Sequence, residues 1–134
     1  MKNTLIKAAI ESGKILRENF GGIYKISSKE VLSNLVTEID RKSEEKIFEI
    51  IRNDFPGHYI LSEEAGALKQ ESDFKWIIDP IDGTVNYAHS IPLTCVSIAV
   101  EKNGEIILGV VFNPISGEFF FSEKGSGSFL NDEK

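Results

Sequence analysis

Apolar residues recur at three- and four-residue intervals from Leu5 through Ile6, Ala9, Ile10, Gly13, Leu16 and Phe20, the spacing of one helix face. The pattern predicts an amphipathic helix over residues 4–20, stopped by Gly21-Gly22. A mixed segment follows to Asn34, in which Ser27-Ser28 and Ser33-Asn34 read as loop. Thr37 is a good N-cap residue, and Asp40 stands three positions later, where the acid of a capping box lies. A second helix is therefore expected from Thr37, carried by Ile39, Ile47, Ile50 and Ile51 and ended by Phe55-Pro56-Gly57.

Beyond Gly57 the period changes. Tyr59-Ile60-Leu61 reads as a short buried strand running into Ser62-Glu63-Glu64, and Phe74 to Ile78 as another, ending at Asp79-Pro80. Thr94 to Glu101 and Ile106 to Asn113 flank Lys102-Asn103-Gly104-Glu105, whose Asn-Gly pair marks a hairpin. Pro114 to Gly117 turns into a strand at Glu118 to Ser122, and Gly125-Ser126-Gly127 leads into Ser128 to Asn131. Helices followed by an antiparallel meander predict an α+β fold, with a helix pair packed on a mostly antiparallel sheet. Asn131-Asp132 reads as a hairpin turn with only Glu133 and Lys134 after it. A hairpin without its second strand leaves an unpaired edge, so the chain is expected to be part of something longer.

Composition narrows the class. The 134 residues suit one domain, and 41% hydrophobic with 27% charged residues exclude disorder and collagen-like repeats. A net charge of -6 argues against a nucleic-acid surface, which needs clustered Lys and Arg. It leaves room for small phosphorylated substrates if a bound cation supplies positive charge. The single cysteine, Cys95, fits a reducing compartment and reads as a small core residue. Lys7 and Glu11 interrupt any leader-like apolar run, and no stretch approaches the roughly 20 residues of a membrane helix. A cytoplasmic protein without membrane contact is expected.

The chemistry concentrates in Trp76-Ile77-Ile78-Asp79-Pro80-Ile81-Asp82-Gly83-Thr84-Val85-Asn86-Tyr87. Two carboxylates three residues apart follow a strand that buries Trp76 and Ile78. Hard divalent cations such as Mg2+ take carboxylate and carbonyl oxygens, so Asp79, Asp82 and the Ile81 carbonyl form a candidate cluster. Gly83 and Thr84 would open a short helix whose free N–H groups can receive a phosphate. The same residues also read as plain turn chemistry, with Asp82 as a helix N-cap. An EF-hand is excluded by spacing, and so is the Asp-x-Asp-Gly-Thr of haloacid-dehalogenase-type phosphatases, because two residues separate these acids. Glu63-Glu64 is a second acidic step after a strand, either solvent-facing or converging with Asp79 on shared cations. Thr37 with Asp40 reads as a helix-cap pair and Lys29 as a solvated loop lysine. His58 and His89 stand apart from each other and from Cys95, against a zinc site.

Together these residues resemble the inositol monophosphatase family of lithium-sensitive, Mg2+-dependent phosphatases. Trp76 to Tyr87 is similar to its signature, Leu35-Val36-Thr37-Glu38-Ile39-Asp40 to its second-helix entry, Ser62-Glu63-Glu64 to its paired-Glu step, and Gly125 to Asn131 to its Gly-rich hairpin. Ser62 stands where many relatives have Gly. The resemblance implies that Glu63, Asp79 and the Ile81 carbonyl hold one Mg2+, and that Asp79 with Asp82 holds a second. Glu63 would border a third metal position. Gly83 and Thr84, with Asp82, would contact phosphate; Thr84 and Asp40 would position the attacking water; and Lys29 matches a basic loop residue. It further implies hydrolysis of inositol monophosphate, with fructose-1,6-bisphosphate or other sugar and nucleotide phosphates as alternative substrates, and a homodimer. A partner-binding regulatory protein is the alternative of another class. The family's second half, with a further Asp ligand and most specificity contacts, has no match here, so the chain resembles the N-terminal half of a layered αβαβα fold.

Overall fold

The computed structural model describes residues 1–21, 29–62, 66–68 and 71–134. Two long helices open the chain, α1 over Lys2–Asn19 and α2 over Lys29–Asp54. The expected helix over residues 4–20 is therefore present. The second helix, however, begins eight residues before Thr37, and Ser33-Asn34 are helical rather than loop. Thr37 is no N-cap: its hydroxyl donates to the Ser33 carbonyl at 2.9 Å, one turn back inside the helix. Asp40 is likewise mid-helix, so the capping-box reading fails. The Ser27-Ser28 expectation lies outside the described residues.

The helices pack as an antiparallel pair, closed at one end by Thr4 Oγ1 donating to Asp54 Oδ2 at 2.6 Å. Their apolar stripes cover one face of a sheet that has seven strands among the described residues. These are β1 (Tyr59–Ser62), β2 (Gly66–Leu68), β3 (Phe74–Asp82), β4 (Cys95–Lys102), β5 (Glu105–Asn113), β6 (Glu118–Glu123) and β7 (Gly127–Leu130), in the order β2-β1-β3-β4-β5-β6-β7. Only β1 and β3 run parallel; β3 to β7 form the expected meander. The short β2 has no counterpart in the sequence reading.

The core lies between helices and sheet. Leu5, Ala8, Ala9 and Leu16 from α1 and Ile47 and Ile51 from α2 meet Trp76, Val96, Ile98 and Val100, all at most 1% exposed. At Gly13 α1 crosses β5 so closely that a Cβ would stand 2.5 Å from the Phe112 ring, and only glycine fits there. The β4–β5 turn has Asn103 at φ 50 and Gly104 at φ 86, the left-handed pair that an Asn-Gly hairpin uses. Asn131 and Asp132 also have positive φ, and Leu130 and Glu133 exchange backbone hydrogen bonds of 2.8 and 2.9 Å, closing the turn expected there. Among the described residues, no helix is long and apolar enough to cross a membrane.

Candidate functional site

The sequence predicts that a strand stops at Asp79-Pro80. Instead β3 continues to Asp82, and the break is absorbed as a bulge. Asp79 lies opposite Ser97 and Asp82 opposite Cys95, so three steps on β3 span two on β4. That count decides the geometry. In a regular strand, residues three apart face opposite sides; one extra residue restores Asp79 and Asp82 to the same face. They share the side of Ser97 and Cys95, away from the helices, while Pro80 and Ile81 are both buried.

The field of the pair is felt at Cys95. Its thiol is pushed up to about 11, by burial first and then by the Asp82 and Asp79 charges, with Sγ 3.9 Å from Asp82 Oδ2. Cys95 is half-buried on the sheet face away from the helices rather than in the core its strand context suggests, and its raised pKa makes it a poor nucleophile at neutral pH.

After Asp82 the chain turns sharply. Gly83 is left-handed at φ 82, and a Cβ there would stand 2.8 Å from the Leu93 carbonyl oxygen. This glycine, rather than Asp82, is the N-cap of α3, Thr84–Ala88, and the cap has no side-chain hydrogen bond. Tyr87 anchors α3: its ring is fully buried, and its hydroxyl donates to the Leu16 carbonyl at 2.8 Å. Burial raises that phenol far above its ordinary value. Thr94 Oγ1 donates to the Asp82 carbonyl at 2.8 Å and Asn86 Nδ2 to the Leu93 carbonyl at 3.0 Å, pinning the return to β4.

Between α2 and α3 lies a cleft of about 790 Å3, lined by Asp40 and Thr84 together with Val36, Arg41, Glu44 and Val85, among others. Asp40 and Thr84 thus line the same cleft, although 44 positions separate them in the chain. Asp40 is only 5% exposed. Ile81 lies in the bulge with its side chain buried. Glu63 and Glu64 lie outside the described residues. Lys29 is the first residue of α2, and its side chain too falls outside the description. Among the described residues no group of three or more His, Cys, Asp or Glu side chains is arranged to hold a metal. The two carboxylates sharing one face are nonetheless hard oxygen donors, and that donor set fits Mg2+ rather than a soft metal.

Two contributors were missed by sequence reasoning. Ser43 Oγ donates to the Pro80 carbonyl at 3.1 Å, and Ser62 Oγ donates to Glu44 Oε2 at 2.5 Å. Asp40, Ser43 and Glu44 interrupt the apolar face Val36, Ile47, Ile51 at helical spacing, and that interruption was the available signal.

The model of the inositol monophosphatase family matches residues 1–134. The chain belongs to this family. An inositol-1-monophosphatase of Mesorhizobium japonicum is 40% identical over 134 residues, covering 98% of the chain and 50% of that protein. A protein named Nus factor SuhB, from Pasteurella multocida, is equally similar, 40% over 134 residues and again 50% of its length. The extragenic suppressor protein suhB of Bartonella henselae, solved by crystallography, superposes with a TM-score of 0.88 at 37% identity, covering 99% of the chain and 52% of that structure. The chain spans about half the length of these relatives.

Proposed function

We propose that residues 1–134 form the metal- and phosphate-binding half of a Mg2+-dependent phosphomonoesterase that hydrolyses inositol monophosphate. The observation that carries this reading is the β3 bulge, which sets Asp79 and Asp82 on one face just ahead of the Gly83–Thr84 turn. In this reading Asp79, Asp82 and the Ile81 carbonyl hold the cations together with Glu63. When bound, Mg2+ supplies the Lewis acidity that activates a water and steadies the leaving oxygen. The first N–H groups of α3, which lack partners within a helix, receive a phosphate oxygen with Lys29 as a further contact. Thr84 and Asp40, lining one cleft, orient the attacking water through hydroxyl and carboxylate. The substrate class is a cyclitol or sugar phosphate, and the remaining ligands and specificity contacts belong to a C-terminal domain. The whole protein would be a cytoplasmic homodimer.

The test is phosphate release by the full-length protein from a panel of phosphomonoesters. Turnover of inositol 1-phosphate with Mg2+, abolished by chelator, is expected; absence of Mg2+-dependent release from every phosphomonoester overturns the reading. The Pasteurella relative's name favours a second role as a partner-binding regulatory protein. An inactive Asp79→Asn variant that keeps that role would separate the two.

A further inference from the structure

A helix face that covers a sheet is ordinarily apolar, yet α2 places Ser43, 0% exposed, and Glu44, 9% exposed, against the strand ends. Buried polar groups are costly unless bonded, and both are bonded to the same region. The Ser43 hydroxyl holds the carbonyl of Pro80, the residue inside the bulge. Proline has no N–H for the sheet ladder, so at this point the backbone is held through its carbonyl. Glu44 accepts from Ser62, the last residue of β1. Ser62 pairs with Ile78, one residue before Asp79, so the second tie fixes the adjacent parallel strand at the same level.

We propose that Ser43 and Glu44 are positioning residues that clamp the β3 bulge and the end of β1 onto α2, keeping Asp79 and Asp82 on one face. Ser43 acts through the Pro80 backbone and Glu44 through Ser62. The strand ends are where the ladder is weakest: a bulge on β3 and the terminus of the four-residue β1. Without these ties the bulge can shift by one residue, and such a slip sends one of the two carboxylates to the opposite face. The consequence for cation affinity rests on the metal-site reading above. The clamp itself does not.

The experiment uses the full-length protein with Ser43→Ala, Ser62→Ala, Glu44→Ala and Glu44→Gln. The last keeps an acceptor oxygen for Ser62. Ser12→Ala is the control, since it removes a buried hydroxyl bonded only to its own helix, at 2.7 Å from the Ala8 carbonyl oxygen. Each variant is compared at a temperature at which it is folded. Amide hydrogen exchange without metal is read over residues 79–84 and 95–97, and Mg2+ affinity by calorimetry. Ser43→Ala, Ser62→Ala and Glu44→Ala are expected to speed exchange in those segments and weaken Mg2+ binding about tenfold or more, as loss of a ligand-orienting partner typically does. Glu44→Gln and Ser12→Ala should stay near wild type. Unchanged exchange in Ser43→Ala and Glu44→Ala overturns the clamp, as does an equal change in Ser12→Ala. If exchange changes as expected while the wild-type protein binds no Mg2+, the clamp stands and the metal-site reading falls.

Discussion

The indole Nε1–H of Trp76 donates to Nδ1 of His58 across 2.9 Å, and that bond sets the state of the imidazole. With Nδ1 accepting, the ring proton sits on Nε2 and the ring is neutral. His58 is stacked between Phe55, centroids 4.6 Å apart, and Phe74, at 4.9 Å. Burial, and secondarily the positive N-terminus, lower its pKa from the ordinary 6.5.

A depressed folded-state pKa has a definite sign. The unfolded chain takes up the proton first, so this contribution to stability is full above the ordinary 6.5 and is lost as pH falls through the lowered value. The thermal midpoint is therefore expected to drop below about pH 6.5, and part of that drop should be missing in His58→Gln. Equal acid limbs in the two proteins would remove His58 as its source.

Cys95 titrates the other way. Its pKa of about 11 is held up by burial and by Asp82 and Asp79, so the thiol should be alkylated slowly at neutral pH and faster only as pH approaches that value. Asp82→Asn removes the charge that lies 3.9 Å from the thiol, and should move the midpoint of the alkylation profile downward. The same raised pKa favours the folded state below the thiol's ordinary 9.0, an advantage lost as pH rises toward 11. An unmoved midpoint in Asp82→Asn would mean that Asp82 does not contribute to the raised value.

The helices and the meander were legible because their periods are local. The errors have local causes too. Thr37 carries a good N-cap side chain, but inside a helix its hydroxyl bonds to Ser33 one turn back and the signal misleads. Pro80 looks like a strand terminator, yet a bulge accommodates it. The Asp79–Asp82 spacing was visible from the start; why three residues suit a shared face was not, because β4 decides it from across the sheet. That Asp40 and Thr84 line one cleft depends in the same way on where α2 lies against α3. Family resemblance supplied that pair; periodicity could not.

Thr84 offers a clean division between binding and chemistry. If its hydroxyl orients the attacking water, Thr84→Ala in the full-length protein should lower kcat by about 10²–10⁴-fold, the scale of a proton-transfer contribution. Mg2+ affinity should change little, and Thr84→Ser, which keeps the hydroxyl, should retain most of the activity. Unchanged kcat in the alanine variant would reduce Thr84 to the first residue of α3.

Asp79 is the residue on which the metal reading turns. Two carboxylates on one face offer a cation hard oxygen donors, so each charge contributes affinity once a cation binds. Asp79→Asn should leave the metal-free thermal midpoint of the full-length protein near wild type, because the amide is isosteric with the carboxylate. With Mg2+ the two proteins should part. A ligand that binds only the folded state raises its stability, by about 2.7 kcal/mol at a hundred times the dissociation constant, and the wild-type midpoint should climb accordingly. The variant, with one carboxylate left on that face, should barely respond to the same Mg2+ series, and its release of phosphate from inositol 1-phosphate should be nearly abolished. Because the thermal measurement does not depend on turnover, loss of activity with a preserved Mg2+ shift would place the defect in chemistry rather than in metal binding. A variant with wild-type kcat at moderate Mg2+ and the full thermal shift would show that Asp79 holds no cation.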